Sequence, residues 1–329
     1  MLRLAVAASL LALVIQIPAA PAGAQTPERG DNPDDTARAD SPSPFTGNRR
    51  VLGYGRLTTN DVIGDGQDRW RTGSVTMSRA WGAGWFGTAP SEFGALLETR
   101  VQGQIIAPAN LVQADPTDRP HTGTLSIGVH SPFTRGALEF SVGADLLVIG
   151  PQTRLGDLQK AIHGMTGDPQ LSPGVIALQT GNHLRPTLVA EIARQFPLGK
   201  RTRLRPFTEL RAGDETLLRV GADITFGGVT NGELLSRESV TGQRYRVIYR
   251  SGPGVSFVFG GDVAHVSQSV YLPADRGYRL TPRRDRVRMG LYWQGRNASV
   301  FYGLTYLGRE FQAQDEGQVL GSVRLKVRF

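Results

Sequence analysis

Apolar side chains recur at every second position in many segments of this chain, and this period constrains the fold more than any other feature. In residues 136–149 the apolar positions are Leu138, Phe140, Val142, Ala144, Leu146 and Val148. Segments 215–226 and 298–309 show the same alternation. A period of two is typical of β-strands with one apolar and one polar face. Taken alone, it fits a soluble β-sandwich as well as a membrane β-barrel.

Three further features favour the barrel. The alternating segments are long for soluble strands and match tilted membrane strands of about 9–11 residues. Aromatic residues gather near strand ends, as in interfacial girdles: Trp81, Trp85, Tyr292 and Trp293. The chain ends on "SVRLKVRF", in which apolar residues alternate with three cations before Phe329. This ending resembles the assembly signal of bacterial outer-membrane barrels, although a soluble edge strand is an alternative.

Twelve strands are predicted, near 51–59, 72–82, 93–106, 121–131, 136–149, 184–196, 201–212, 215–226, 254–267, 284–294, 298–309 and 318–329. Bacterial single-chain barrels have an even strand number and periplasmic ends. The short candidate at 244–250 is therefore left out, and 227–252 becomes a long periplasmic excursion. The predicted fold is an all-β, twelve-stranded antiparallel transmembrane β-barrel with a short helix in a long outer loop. Its outer connections are 60–71, 107–120, 150–183, 213–214, 268–283 and 310–317.

The N-terminal region predicts export. Residues 1–24 combine Arg3, an apolar run and "AGA" before Gln25, as in a cleavable signal peptide. Residues 25–50 are polar and proline-rich and are predicted to be a flexible segment, so that 51–329 form the barrel. We expect a monomer in the bacterial outer membrane.

Composition and net charge limit how the fold is stabilised and which molecules the protein binds. The chain has no cysteine, so a closed sheet or a large core must replace disulfides. Its net charge of +8 favours anionic lipid headgroups or acidic polysaccharide as partners. Nucleic acid is excluded as a partner of an exported chain.

The longest outer loop contains a helical pattern from Leu155 to His163, with Gly164 and Gly167 as natural stops. Gln159 and His163 are four positions apart and therefore share one helix face. A surface histidine without a catalytic role would give the same pattern.

The first outer connection, within "TTNDVIGDGQDRWRTGS" at 58–74, is acidic and glycine-rich. Such a loop is either a calcium site or a surface turn. An EF-hand does not fit, because Asp61 is followed by Val, Ile and Gly and no glutamate closes the loop. Asp65, in "GDG", is predicted to be a turn residue.

Several of these motifs together resemble the outer-membrane lipid A 3′-O-deacylase family. They are "TTND", "DRWRTGS", "DRPHTG" at 118–123 and "VIGPQTRLGDLQKAIHG". The family is a twelve-stranded barrel that removes the 3′-linked acyloxyacyl chain from lipid A in the outer leaflet, using Ca²⁺. The resemblance spans roughly 50–329, and its Gly-Pro…Gln…His segment is the most specific part.

The resemblance implies roles for five residues. His163 would be the general base that takes a proton from water. Asn60 or Ca²⁺ would stabilise the oxyanion, and Asp61 would bind Ca²⁺ or orient His163. Thr72 and Gln159 would position water and substrate.

The chain also departs from the family pattern. The acidic residue after the histidine has Asp168 as its nearest counterpart, with Pro169 as the alternative at the aligned position. The segment "APANLVQADPTD" lacks a lysine-arginine pair suited to lipid A phosphates. Arg119 or the cluster "TPRRDRVR" at 281–288 would replace that pair.

Other polar residues are predicted to have structural rather than catalytic roles. His121, His130 and His265 are predicted to be structural, and a network of charges is predicted to fill the lumen: Glu139, Asp145, Glu191, Glu209, Arg211, Arg219 and Asp223. Two alternatives to the deacylase remain, a non-catalytic barrel (narrow channel, structural or adhesion protein) and an outer-membrane esterase of glycerophospholipids.

Overall fold

The computed structural model describes residues 49–250 and 252–327. The predicted signal peptide, nearly all of the predicted flexible segment and Phe329 lie outside these residues. The described strands are β1 (Arg50–Asn60), β2 (Trp70–Gly82), β3 (Leu97–Ala107), β4 (Thr122–Arg135), β5 (Leu138–Ile149), β6 (His183–Arg194), β7 (Phe196–Pro197), β8 (Thr202–Ala212), β9 (Glu215–Gly227), β10 (Leu234–Arg237), β11 (Arg244–Ile248), β12 (Gly254–Ser269), β13 (Arg284–Gln294), β14 (Ala298–Leu307) and β15 (Gln318–Val327).

Twelve of these strands close into one antiparallel barrel. The order is β6-β5-β4-β3-β2-β1-β15-β14-β13-β12-β9-β8, and β6 pairs with β8 to complete the ring. Every neighbouring pair is antiparallel, including β1 with β15. The predicted twelve-stranded barrel is thereby confirmed, and each predicted strand corresponds to one observed strand.

The helices lie in the connection between β5 and β6. A 3-10 turn at Pro151–Thr153 leads into α1 (Leu155–Thr166), and α2 (Pro173–Ala177) follows. Helix α1 continues through Gly164 and ends at Gly167, whose φ of 75° is in the left-handed region that glycine adopts readily. Among the described residues, no helix combines the length and the apolar character needed to cross a membrane.

The outer surface of the barrel carries the apolar faces of the strands. On β4, Leu125, Ile127 and Val129 are all exposed, whereas His130 is buried. The same exposure recurs on β12 at Val255, Phe257 and Phe259. An apolar exterior around a polar interior is the arrangement of a barrel surrounded by lipid.

The interior is filled by ion pairs, as predicted. Arg205 contacts Glu139 at 2.7 Å and Glu191 at 2.8 Å. Arg219 lies 3.5 Å from Glu209 and 3.2 Å from Asp262. Because each charge is close to an opposite one, the cost of burying them is reduced.

The predicted periplasmic excursion at 227–252 is wrong, because this segment folds back into the lumen as the hairpin β10–β11. Ser236 donates to Glu98 at 2.7 Å, and Arg237 contacts Glu191 and Asp223 at 2.6 and 3.0 Å. Tyr245 is almost fully buried. In the lumen, the hairpin pairs with charges of the barrel wall and its own apolar residues are buried. A segment extending into water would have neither of these stabilising contacts.

Candidate functional site

Asn60 lies at the end of β1 on the lipid-facing side of the wall. Its neighbour Thr59 faces the lumen, where it contacts Ser322 at 2.8 Å, so Asn60 faces outward. Its cross-strand partner on β2 is Gly73, and a Cβ there would lie only 3.2 Å from the Asn60 Nδ2. The missing side chain at Gly73 leaves the amide of Asn60 open to the lipid side.

The loop after β1 places two carboxylates around one hydroxyl. The Thr72 Oγ1 donates to Asp68 Oδ1 at 2.5 Å and lies 3.4 Å from Asp61 Oδ1. Asp61 is fully buried and accepts the backbone N–H of Arg69 at 2.9 Å. Burial raises the pKa of Asp61 well above its ordinary value, and the nearby charges of Asp68 and Asp65 add to this effect.

Helix α1 brings His163 to this loop. The His163 Nε2 lies 3.1 Å from Asp68 Oδ2, and Nδ1 lies 2.6 Å from the carbonyl oxygen of Pro169. Pro169 reaches the ring because the chain turns back after Gly167. The hydrogen bond with Asp68 is the main reason that the pKa of His163 is raised above 6.5, although burial opposes it.

Gln159, one turn earlier, is held by His121 on the segment before β4. The His121 Nε2 and the Gln159 Oε1 are 2.8 Å apart, and both side chains are buried. Burial lowers the pKa of His121. A neutral His121 that donates through Nε2 orients the amide of Gln159, whose Nε2 has no hydrogen-bond partner within the described part of the chain.

The five predicted site residues therefore lie together at one rim of the barrel, but their contacts differ from the predicted ones. Asp68 contacts the ring of His163, and the charge of Asp168 also raises the pKa of this histidine, to a smaller extent. His121, predicted to be structural, contacts Gln159. Asp68 belongs to the segment "DRWRT", but no sequence period links it to α1.

Two other predictions can be compared with the structure. Asp65 is confirmed as a turn residue, since its carboxylate accepts the backbone N–H groups of Gln67 and Val319 at 3.1 and 3.0 Å. Arg119, predicted to bind a substrate phosphate, is instead almost fully buried and ion-paired with Glu310.

Three of the four arginines in the alternative phosphate cluster at 281–288 are engaged inside the barrel, whereas Arg283 is exposed and pairs with Asp285 at 2.8 Å. Arg284, Arg286 and Arg288 are buried and form ion pairs with carboxylates, including Glu215 at 2.7 Å and Asp262 at 2.9 Å. These guanidinium groups face the lumen and are not presented to a headgroup at the rim.

The loop at 60–72 fits a calcium ion in its chemistry. Asp61 is a buried carboxylate, and within residues 49–250 and 252–327 no basic side chain forms an ion pair with it. Such a group is costly unless a cation or a proton compensates its charge. The same described residues contain no cluster of three or more acidic, histidine or cysteine side chains arranged as a metal cage. Asp61 would therefore share an ion with neutral oxygens and water, as calcium allows.

Comparisons with known proteins place this architecture among outer-membrane proteins. A family model described as "Outer membrane protein LpxR" matches residues 9–329. The solved structure of LpxR from Salmonella typhimurium superposes with a TM-score of 0.71 at 16% identity, covering 84% of this chain and 100% of that one. No curated protein sequence matches the chain.

Two other solved barrels are less similar. The β domain of the Bordetella autotransporter BrkA gives a TM-score of 0.43 at 10% identity over 85% of this chain and 99% of that one. The translocator domain of the Neisseria meningitidis autotransporter NalP gives 0.39 at 12% identity over 86% and 89%.

The closed barrel, its apolar exterior and a polar site at the rim define an outer-membrane β-barrel protein with a site that faces lipid. The match over residues 9–329 is more specific, and the chain belongs to the LpxR family of outer membrane proteins. This confirms the resemblance to lipid A 3′-O-deacylases found in the sequence.

Proposed function

We propose that this protein is a Ca²⁺-dependent hydrolase that removes the 3′-linked acyl (acyloxyacyl) chain from lipid A in the outer leaflet of the outer membrane. The observation that carries the proposal is the contact of His163 with Asp68, whose other carboxylate oxygen accepts from Thr72 at the rim where the outward-facing Asn60 ends β1. Membership of the LpxR family supports it.

His163 is the general base in this proposal. Its Nδ1–H donates to the carbonyl of Pro169, which fixes the tautomer of the neutral ring. The contact of Nε2 with Asp68 is that of the imidazolium; in the neutral ring Nε2 carries a lone pair and accepts a proton from a water that takes the place of the Asp68 carboxylate beside it. The water oxygen attacks the ester carbonyl carbon as that proton moves to Nε2. The resulting imidazolium has two N–H groups and two acceptors, Asp68 and Pro169. Collapse of the tetrahedral intermediate returns the proton to the departing sugar oxygen and releases the fatty acid.

The remaining side chains position the reacting groups. Asn60 presents its amide towards lipid, where it can donate to the oxyanion. Thr72 holds Asp68 in place, and Gln159 offers an amide donor fixed by His121. Calcium, held by Asp61, would supply a Lewis acid that polarises the ester carbonyl when it is bound.

The alternatives differ in what they require of the barrel. A channel needs an open lumen, whereas here the hairpin β10–β11 and its ion pairs occupy it. An esterase of glycerophospholipids would use the same site residues. Only the products distinguish it from a lipid A deacylase.

The test is mass spectrometry of lipid A from cells that express the wild-type protein or His163→Ala. We expect the wild type to remove the 3′ acyl mass and the variant to lose activity by about 10²–10⁴-fold, as for loss of a general base. His265→Ala is a matched control, because His265 lies on β12, far from α1 in the chain, and its side chain is exposed.

Two results would contradict the proposal. One is an unchanged lipid A mass in wild-type cells supplied with calcium. The other is full activity of His163→Ala in a protein that is folded by heat-dependent gel mobility. Release of lysophospholipid with unchanged lipid A would favour the phospholipid esterase.

A further inference from the structure

Helix α1 has three distinct faces. Gln159 and His163 are buried and face the site. Leu158, Ile162 and Met165 follow one another at intervals of four and three residues and form an apolar stripe beside that face. Leu158 and Met165 are not covered by the described residues, with exposed fractions of 45% and 74%, and Ile162 between them is half-buried.

The position of Leu155, the first residue of α1, shows which way this stripe faces. Leu155 lies on the same side of the helix as Leu158 and Ile162. A Cβ added at Gly123 would lie 3.0 Å from the Leu155 Cβ. Gly123 is two positions before the exposed Leu125 on β4, so it belongs to the lipid-facing side of the wall.

The wall beneath α1 continues as a lipid-facing row. Asn60 pairs with Gly73, Gly73 with Ile105, and Ile105 with Gly123, on four neighbouring strands. The apolar stripe is thus continuous with the membrane-facing surface of the barrel at the level of the site. On the opposite side of the helix, Asp157 and Lys160 are exposed and polar.

We propose that α1 is an interfacial helix whose stripe of Leu158, Ile162 and Met165 inserts among the acyl chains of the outer leaflet. An amphipathic helix of this kind lies in the plane of the interface, with its apolar face roughly 5–10 Å deep. Its polar face, with Asp157 and Lys160, remains in water. Anchoring α1 in this way sets His163 at the depth of the lipid headgroups.

The absence of cysteine from the chain makes a direct test possible. Leu158→Cys, Met165→Cys and Lys160→Cys are each labelled with a nitroxide in the full-length protein reconstituted in dioleoylphosphatidylcholine vesicles. Ile127→Cys, on the exposed lipid-facing side of β4, serves as the reference for membrane exposure. Accessibility to oxygen, which partitions into lipid, is compared with accessibility to a water-soluble nickel chelate.

We expect the labels at positions 158 and 165 to resemble the label at 127, with severalfold higher oxygen-to-nickel accessibility than the label at 160. High nickel accessibility at both stripe positions would overturn the proposal. Protection of both positions from oxygen and nickel would also overturn it, because another protein segment would then cover the stripe. Since the readout is not catalytic, its failure is separate from failure of the proposed hydrolase.

Discussion

The carboxylate of Asp68 and the imidazole of His163 meet at 3.1 Å although they come from different outer loops. Asp68 precedes β2, whereas His163 lies in α1 between β5 and β6. The contact joins these two loops above the lipid-facing row of the wall. It also raises the pKa of His163, the histidine for which a catalytic role is proposed.

The first prediction concerns pH. Asp68 raises the pKa of His163, and a general base must be neutral, so wild-type activity should fall on the acid side at a pH above the ordinary value of 6.5. Asp68→Asn removes the carboxylate and should move this acid limb to lower pH. Deacylation rates in detergent micelles across the pH range would measure the shift. An unmoved limb would show that Asp68 does not control the titration.

The raised pKa of His163 also makes the stability of the two loops depend on pH. Because the folded-state pKa of His163 is raised, the ion pair with Asp68 stabilises the loops fully at pH below the unfolded pKa. This contribution is lost as the pH rises through the folded pKa. Limited proteolysis of the loops should therefore become faster on the alkaline side in the wild type, and this change should be smaller in Asp68→Asn.

The second prediction concerns Gly73. A leucine at this position would extend over the amide of Asn60, because even the Cβ lies 3.2 Å from Nδ2. Gly73→Leu should abolish deacylation in a barrel that still folds. Gly103→Leu is the matched control on the same face of the wall, since its Cβ would meet only Leu125 at 3.4 Å. Lipid A mass spectra and heat-dependent gel mobility would be compared for both variants.

The third prediction concerns His121. His121→Phe removes the group that orients Gln159, so a buried amide oxygen loses its partner. Loss of about 1–2 kcal/mol of hydrogen bonding would reduce turnover roughly tenfold. His121→Gln, which keeps a donor, should recover part of the activity. Equal rates in both variants and the wild type would assign His121 a purely structural role.

The fourth prediction concerns calcium. Chelation with EDTA should stop deacylation, and Asp61→Asn should raise the calcium concentration that restores it. Burial raises the pKa of Asp61, so protons compete with the cation and binding should weaken as the pH falls. Terbium luminescence sensitised by Trp70, which lies in the same loop region, would measure binding without the reaction. Binding that is independent of Asp61 would contradict the assignment.

The fifth prediction concerns the lumen. Arg237→Ala would leave Glu191 and Asp223 without one partner each, and loss of one member of a buried ion pair typically costs about 3–5 kcal/mol. The variant should lose its folded gel mobility at a lower temperature.

In planar bilayers, the wild type should show no large steady conductance. A large steady conductance would favour the channel.

The strands of the barrel wall were predictable from the sequence because each strand repeats a local period of two, as in Leu138–Ile149. The hairpin at 234–248 was misplaced because its burial depends on charges on other strands, such as Glu98 and Asp223. Helix α1 was predicted from Leu155 to His163 and is observed to Thr166, because the first of the two predicted stops, Gly164, permits a helix end without requiring one.

The site was predictable in its members and not in its contacts. Asn60, Asp61, Thr72, Gln159 and His163 were predicted from motifs that resemble those of the family; they lie at one rim of the barrel, and their roles stay predictions. The pairing of His163 with Asp68 joins residues that are far apart in the chain, and no spacing encodes such a contact. The burial of Arg119 likewise follows from Glu310, near the other end of the sequence.

The outward position of Asn60, beside the bare backbone of Gly73, determines how a ligand reaches it. A molecule already in the leaflet arrives by lateral diffusion along the wall and never has to leave the membrane. The concentration that governs occupancy is then a surface density, in molecules per unit area. Diluting cells or vesicles in buffer should leave that occupancy unchanged, whereas diluting the lipid within the leaflet should lower it.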